Sequence, residues 1–256
     1  MRIYILPDRQ RIAEVATELA AETLKKVLAE KGEANLVAAT GTSQFEFLDR
    51  LAEVPGIDWS KVTFFHLDEY IGLPASHPAS FRRYLKERVE QRLKPRAFHY
   101  IQGDAGDPSA ECRRLAELIR RHPIDMAFLG IGENGHIAFN DPPADFETEE
   151  PFLVVDLDEK CRMQQVKEGW FPSLEAVPKQ AITMSPRQIL RAKRLICLVP
   201  DARKAEAVRD CLTHPIDPLV PCTILRRHSD VHLLLDEASA ALLPPDRRVA
   251  ETPPES

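Results

Sequence analysis

Gly130-Ile131-Gly132-Glu133-Asn134-Gly135-His136-Ile137-Ala138-Phe139-Asn140-Asp141-Pro142 follows the apolar run Ile124-Asp125-Met126-Ala127-Phe128-Leu129. The run reads as a buried strand. A strand that ends in glycines and then presents His and Asp matches the way open α/β sheets build sites at their carboxyl edges. The glycine spacing also satisfies G-x-G-x-x-G, but a dinucleotide fingerprint needs a helix directly after its third glycine, in the first βαβ unit. Here the glycines lie mid-chain and the segment runs into Asp141-Pro142-Pro143, which cannot continue a helix. No nicotinamide or flavin cofactor is expected.

Working outward, strands and helices alternate. Asp8 reads as an N-cap. Ile12, Val15, Ala16, Leu19, Ala20, Leu24, Val27 and Leu28 recur at helical spacing until Gly32. Leu36-Val37-Ala38-Ala39 reads as a short buried strand entering Thr40-Gly41-Thr42-Ser43, with a helix behind it through Phe45, Phe47, Leu48 and Leu51. A strand at 62–67 ends at Asp68-Glu69-Tyr70, and a helix follows Pro78. A strand near 98–101 and a helix over 108–121 lead to the opening motif. Residues 153–155, 181–184, 195–199 and 231–235 read as further strands, and 202–212 as a helix. This alternation predicts an α/β fold with a doubly wound, mostly parallel sheet and helices on both faces. No internal linker interrupts residues 1–240, which are read as one domain. Residues 241–256, rich in Pro and charge, read as a disordered tail.

Composition narrows the class. The chain has 256 residues and a net charge of −6, which argues against a nucleic-acid binder with its basic excess. Five cysteines, none in a C-x-x-C pair, fit reduced thiols better than a disulfide frame. The amino terminus Met1–Pro7 is too short and too early broken for a signal peptide. No apolar run approaches the roughly 18 residues a membrane helix needs. A cytoplasmic protein is the expectation, with no membrane or nucleic-acid partner.

Three strand ends and one helix start carry polar clusters. Thr40, Gly41 and Thr42 (with Ser43) offer hydroxyls and backbone N–H groups to an anion at a helix start; a capped strand–helix turn is the plain alternative. Asp68 and Glu69 are adjacent, so their side chains point apart and at most one faces a substrate. His136 and Asp141 can pair, the carboxylate orienting the imidazole. Lys204, in the first turns of its helix, can reach a phosphate as a point charge, or stand on a solvated face. A metal site built from His66, His77, His136 and Asp68 lacks any H-x-H or H-x-x-x-H pair, and none is expected.

In order along the chain, these segments resemble the glucosamine-6-phosphate deaminase family. The resemblance rests on Ala39-Thr40-Gly41-Thr42, on Phe65-His66-Leu67-Asp68-Glu69-Tyr70-Ile71-Gly72-Leu73 with His77-Pro78, and on the opening motif. Val177-Pro178-Lys179-Gln180-Ala181-Ile182-Thr183 and Lys204-Ala205 complete it, so that it spans roughly residues 1 to 238. It implies an isomerase-deaminase converting glucosamine 6-phosphate to fructose 6-phosphate and ammonia. Asp68 would move a proton between C2 and C1. His136, supported by Asn134 and Asp141, would open the ring. Thr40, Gly41, Thr42 and Lys204 would hold the phosphate. No cofactor or metal is implied; the partner is a small sugar phosphate, and a homo-oligomer is compatible with everything above. The related 6-phosphogluconolactonases share the fold, so a lactone hydrolase is one alternative. A sugar-phosphate-sensing protein without turnover is another.

Three departures stand out. Asn134 and Asp141 replace an aspartate and a glutamate of the enteric deaminases. The basic pair that binds an N-acetylated activator in allosteric members is replaced by Glu149-Glu150-Pro151-Phe152-Leu153-Val154-Val155. A phosphate-binding arginine falls near 161–168, where Arg162 or Lys167 could serve.

Overall fold

The computed structural model describes residues 1–248 and residue 251. Strand β1 (Arg2–Leu6) precedes helix α1 (Arg9–Lys31), which starts where Asp8 accepts from Arg11 N and stops at Gly32 in the left-handed region. Strand β2 (Ala34–Ala38) leads through a 3-10 turn at Thr42–Gln44 into α2 (Phe45–Leu51). Strand β3 (Val62–His66) is followed at once by β4 (Asp68–Tyr70). A helical stretch comes next: α3 (Phe81–Leu85), a π-type turn and α4 (Gln91–Leu93). Then come β5 (Ala97–His99), α5 (Pro108–Arg120) and β6 (Met126–Leu129). The second half contains β7 (Phe152–Asp156), α6 (Glu159–Lys167), β8 (Gln180–Met184), α7 (Pro186–Leu190) and β9 (Arg194–Val199). Helix α8 (Ala205–Thr213) and β10 (Val231–Asp236) follow.

Seven strands form one sheet in the order β1-β10-β9-β6-β2-β3-β5, with every pairing parallel. Each of β2, β3, β6 and β10 is buried along its whole length, as a parallel sheet covered on both faces requires. The chain runs outward from β2 through β3 to β5, then crosses back to place β6 on the other side of β2. That reversal leaves a crevice at the carboxyl ends of β2 and β6.

A second, three-stranded antiparallel sheet has the order β4-β8-β7. Asp68–Tyr70, expected as the end of a strand, is thus a strand of its own in a different sheet. Its neighbours build a separate apolar cluster around Tyr70, Phe81, Phe139, Cys161 and Phe171. The tail expectation falls partly outside the described residues. Within them, Leu243 is buried in the main core, Pro245–Arg247 makes a 3-10 turn, and Glu251 N donates to Ile3 O at 2.7 Å.

Candidate active site

Three neighbouring strands of the large sheet end side by side. β2 delivers Thr40–Ser43, β6 delivers Gly130–Gly132, and β9 delivers Pro200–Lys204. These segments line one cleft of ≈ 750 Å³, open mouth included, together with Asp68, His136, Phe81, Phe139, Gln164 and Gln165 of α6, and Glu168 at its end. Gly41 supplies a φ of +106° at the β2 turn, a conformation that favours glycine. Gly130 meets Ser43 closely: a Cβ there would lie 3.4 Å from the Ser43 hydroxyl.

Asp68 and Glu69 point apart, as an extended segment requires. Asp68 faces the cleft and is 6% exposed. Among the described residues its carboxylate accepts no hydrogen bond. Burial, reinforced by the charge of Glu69, pushes it up to about 8. Glu69 turns inward and ties β4 to the start of α3. Its carboxylate accepts from Ser80 Oγ at 2.9 Å and from the backbone N–H groups of Tyr70, Phe81 and Arg82. Burial raises the Glu69 carboxyl while those donors oppose the rise.

The His136 ring lies flat against Gly132. A Cβ on that glycine would come within 2.2 Å of the imidazole, so a side chain there would displace the ring. His136 is 8% exposed, and its Nδ1 lies 3.2 Å from Asp141 Oδ1. Nδ1 is fully buried, yet the approach is too poorly directed to satisfy it as a hydrogen bond. Nε2 is left for the cleft.

Asn134 holds the loop together. Its Oδ1 accepts from His136 N at 3.1 Å, while its Nδ2 donates to Asp141 Oδ1 at 3.0 Å and to Asp158 Oδ2 at 3.1 Å. Asp158 N donates to Asp141 Oδ2 at 3.0 Å, and Asp158 Oδ1 caps α6 at Cys161 N. Burial would raise the Asp141 carboxyl, but His136, Asn134 and the Asp158 amide outweigh it and hold it below its ordinary range. The two N–H donors of an amide at 134 therefore bridge two carboxylates, which a third carboxyl group could not do, since even protonated it has one O–H to give.

Lys204 closes the other end of the cleft. Burial lowers its ammonium, with the carboxylates of Glu168 and Glu133 opposing; among the described residues it forms no ion pair. Arg162 is not at the cleft, because its guanidinium donates to Leu174 O and Val177 O. Lys167 turns out toward Glu133 at 3.8 Å. Two arginines that sequence reading passed over do line the cleft, Arg9 and Arg203. Arg203 is held by Asp201 at 3.1 Å and Glu133 at 3.2 Å. The remaining members of the imagined metal set stand apart. His66 is buried beside Ile101 N, and His77 stacks on Phe171.

Helix α6 is not legible from periodicity, since E-K-C-R-M-Q-Q-V-K carries no apolar stripe. Its one legible signal is Asp158, an N-cap type followed by polar helix formers.

An open parallel sheet that gathers a buried carboxylate, an imidazole beside a second carboxylate and a buried lysine at its switch point has the architecture of an α/β enzyme. The chain belongs to the glucosamine-6-phosphate isomerases/6-phosphogluconolactonase family, whose family model matches residues 7–234. It is 36% identical over 250 residues to glucosamine-6-phosphate deaminase 1 of Bacillus subtilis, covering 95% of this chain and 100% of that one. It is 38% identical over 244 residues to a glucosamine-6-phosphate deaminase of Streptococcus pyogenes, covering 95% and 100%. A solved monomeric glucosamine-6-phosphate deaminase superposes with a TM-score of 0.86 at 33% identity, covering 94% of this chain and 100% of that chain. A 6-phosphogluconolactonase of Shewanella baltica superposes with a TM-score of 0.76 at 19% identity, covering 92% and 97%, which is a likeness of fold. Among the described residues no helix is long and apolar enough to cross a membrane.

Proposed function

We propose that this chain converts glucosamine 6-phosphate to fructose 6-phosphate and ammonia. The observation that carries the reading is Asp68, a buried carboxylate facing the cleft with no donor on it among the described residues. Abstraction of a proton from carbon next to an imine needs a base that is close and partly desolvated. Burial supplies the desolvation and brings the pKa near working pH, where general bases are most effective.

His136 serves ring opening. Its Nε2 shuttles the proton of the ring oxygen, while Asp141 behind Nδ1 stabilises the imidazolium. Asn134 keeps Asp141 and the His136 backbone in register. The phosphate lies at the far end on Thr40, Gly41 and Thr42, with Lys204 as its first cation. Arg203 and Arg9 add charge there, in place of Arg162 or Lys167. The phosphate is remote from the reacting carbons, so its binding energy positions C2 over Asp68. Phe81, Ala138 and Phe139 form apolar walls that keep water from the reacting carbons. All five cysteines are unpaired and buried, which supports a reducing, cytoplasmic setting.

The test is a side-by-side assay of purified protein on glucosamine 6-phosphate and on 6-phosphogluconolactone. Equimolar ammonia and fructose 6-phosphate from the first, in the presence of EDTA, is expected. Turnover of the lactone alone, or tight binding of the amino sugar phosphate without turnover by folded protein, would replace this reading.

A further inference from the structure

A second cleft opens on the far side of Asp141. It measures ≈ 820 Å³, open mouth included, and four carboxylates line it: Asp141, Asp145, Asp156 and Asp158. Asp141 thus forms a wall between this cleft and His136. On the inner side of that wall stands Cys161, a buried thiol that the deamination chemistry does not use. One ligand atom each from His136, Asp141 and Cys161 lie within 4.8 Å of one another. The imidazole atom on this side is Nδ1, fully buried and, among the described residues, without a well-directed partner.

A nitrogen, an oxygen and a sulfur ligand together suit Zn²⁺ or Cd²⁺ and not Mg²⁺ or Ca²⁺, which prefer oxygen alone. Bonds of about 2.0–2.3 Å to zinc put neighbouring tetrahedral ligand atoms roughly 3.2–3.8 Å apart. A small contraction of the trio reaches that spacing. Each Asp141 oxygen already accepts one hydrogen bond, from Asn134 or from the Asp158 amide, and keeps a second lone pair.

We propose that His136, Asp141 and Cys161 form an inhibitory site for a soft divalent cation that enters through the acid-lined cleft. On binding, the Cys161 thiol gives its proton to solvent, and the imidazole proton moves to Nε2. Bonds form from the metal to Nδ1, an Asp141 oxygen and the Cys161 thiolate, with water as the fourth ligand. The four carboxylates of the cleft give its approach the negative potential that draws a cation in. With Nδ1 on the metal and a proton on Nε2, His136 can no longer accept a proton from the sugar. Lys204 and Thr40–Ser43 stay untouched, so the phosphate still binds.

The inhibitory consequence rests on the deaminase reading; the site itself does not. Two readouts separate them. Zn²⁺ is titrated into the protein turning over glucosamine 6-phosphate, and Cd²⁺ into resting protein while the ultraviolet band of a cadmium–thiolate bond is followed. Zn²⁺ should lower kcat with KM nearly unchanged, Mg²⁺ should have no such effect, and EDTA should restore the rate. Cys161→Ser should need at least about tenfold more Zn²⁺ for half inhibition, since even outer-sphere partners of a metal ligand contribute that much. The same variant should lose part of the cadmium band, with Cys161→Ala as a second variant if serine disturbs the fold. Equal Zn²⁺ sensitivity in wild type and both variants, or a cadmium band unchanged by Cys161→Ser, would overturn the site. A Cys161-dependent band in a protein that does not deaminate would keep the site and remove the function.

Discussion

The two sheets contribute to the cleft in different ways. The seven-stranded sheet presents turns that follow buried strands, and these place backbone N–H groups, hydroxyls and Lys204 where the proposed function puts the phosphate. In the small sheet, Val154, 40% exposed, and the exposed Asp156 leave one face of β7 wet, while Leu153 and Val155 on the other are partly covered. That sheet and α6 supply Asp68, the Asp158 anchor and the residues over the mouth of the cleft. The difference teaches that, in the proposed reaction, binding and proton transfer would rest on separate frameworks, joined at the His136 loop. Phe139 N donates to Thr183 Oγ1 of β8, and Asn140 Nδ2 donates to Met184 O, which fixes the loop to the small sheet.

The largest expected effect falls on the small-sheet side. Asp68→Asn keeps size and removes proton affinity, so kcat should drop by at least about 10²-fold. A near-wild-type rate would return Asp68 to a structural role. The same variant has a stability signature. The folded pKa of Asp68 is raised, to about 8, so the fold favours the neutral carboxyl. That stabilisation is complete below the ordinary carboxylate range and is lost as pH rises through about 8. Wild-type Tm should therefore decline toward that pH relative to Asp68→Asn. Parallel Tm–pH curves for the two proteins would contradict the burial account.

On the large-sheet side, Lys204→Ala removes a charge-assisted bond worth about 1.5–3 kcal/mol. Apparent affinity for glucosamine 6-phosphate should weaken roughly 10- to 150-fold. Glucosamine, which has no phosphate, is the control: an equal loss on both substrates would take Lys204 off the phosphate. Arg203→Ala should cost no more than about fivefold, because an already paired, half-exposed arginine contributes about 1 kcal/mol at most.

At the junction, Asn134→Ala leaves Asp141 and Asp158 facing each other without their shared donor. The expected cost is about 1–3 kcal/mol of stability, with a loss of kcat and little change in KM. Denaturant unfolding beside steady-state kinetics checks both; a variant unchanged in stability and rate would show that α6 is anchored elsewhere.

These contrasts also set what could be read in the chain beforehand. The parallel strands are continuous apolar runs bounded by glycine and hydroxyl residues, so their ends, and with them Thr40–Thr42, His136 and Lys204, stood out. The small sheet did not. Its β4 is three residues long and reads as the end of β3, and its partner β8 lies more than a hundred residues away. Nothing local announces such a pairing. Arg203, after β9, and Arg9, at the start of α1, enter the cleft only because distant segments come together in the fold. Residue proximity to a motif was a poor guide at Arg162, whose guanidinium is taken up by two carbonyl oxygens of the following loop.

The smallest expected effect is none. The segment where a basic pair would bind an N-acetylated activator is acidic: Glu149 pairs with Arg187 and Arg191, and Glu150 with Arg120. N-acetylglucosamine 6-phosphate should leave the substrate saturation curve where it is, and a leftward shift would reveal an effector site on the small-sheet side.

The separation of binding from proton transfer is tested most directly by calorimetric titration of Asp68→Asn with glucosamine 6-phosphate. The account predicts a saturable isotherm, with an affinity close to the wild-type KM, that is weakened by adding Lys204→Ala, and no ammonia in the cell afterward. Loss of binding together with turnover, or continued ammonia release, would contradict it.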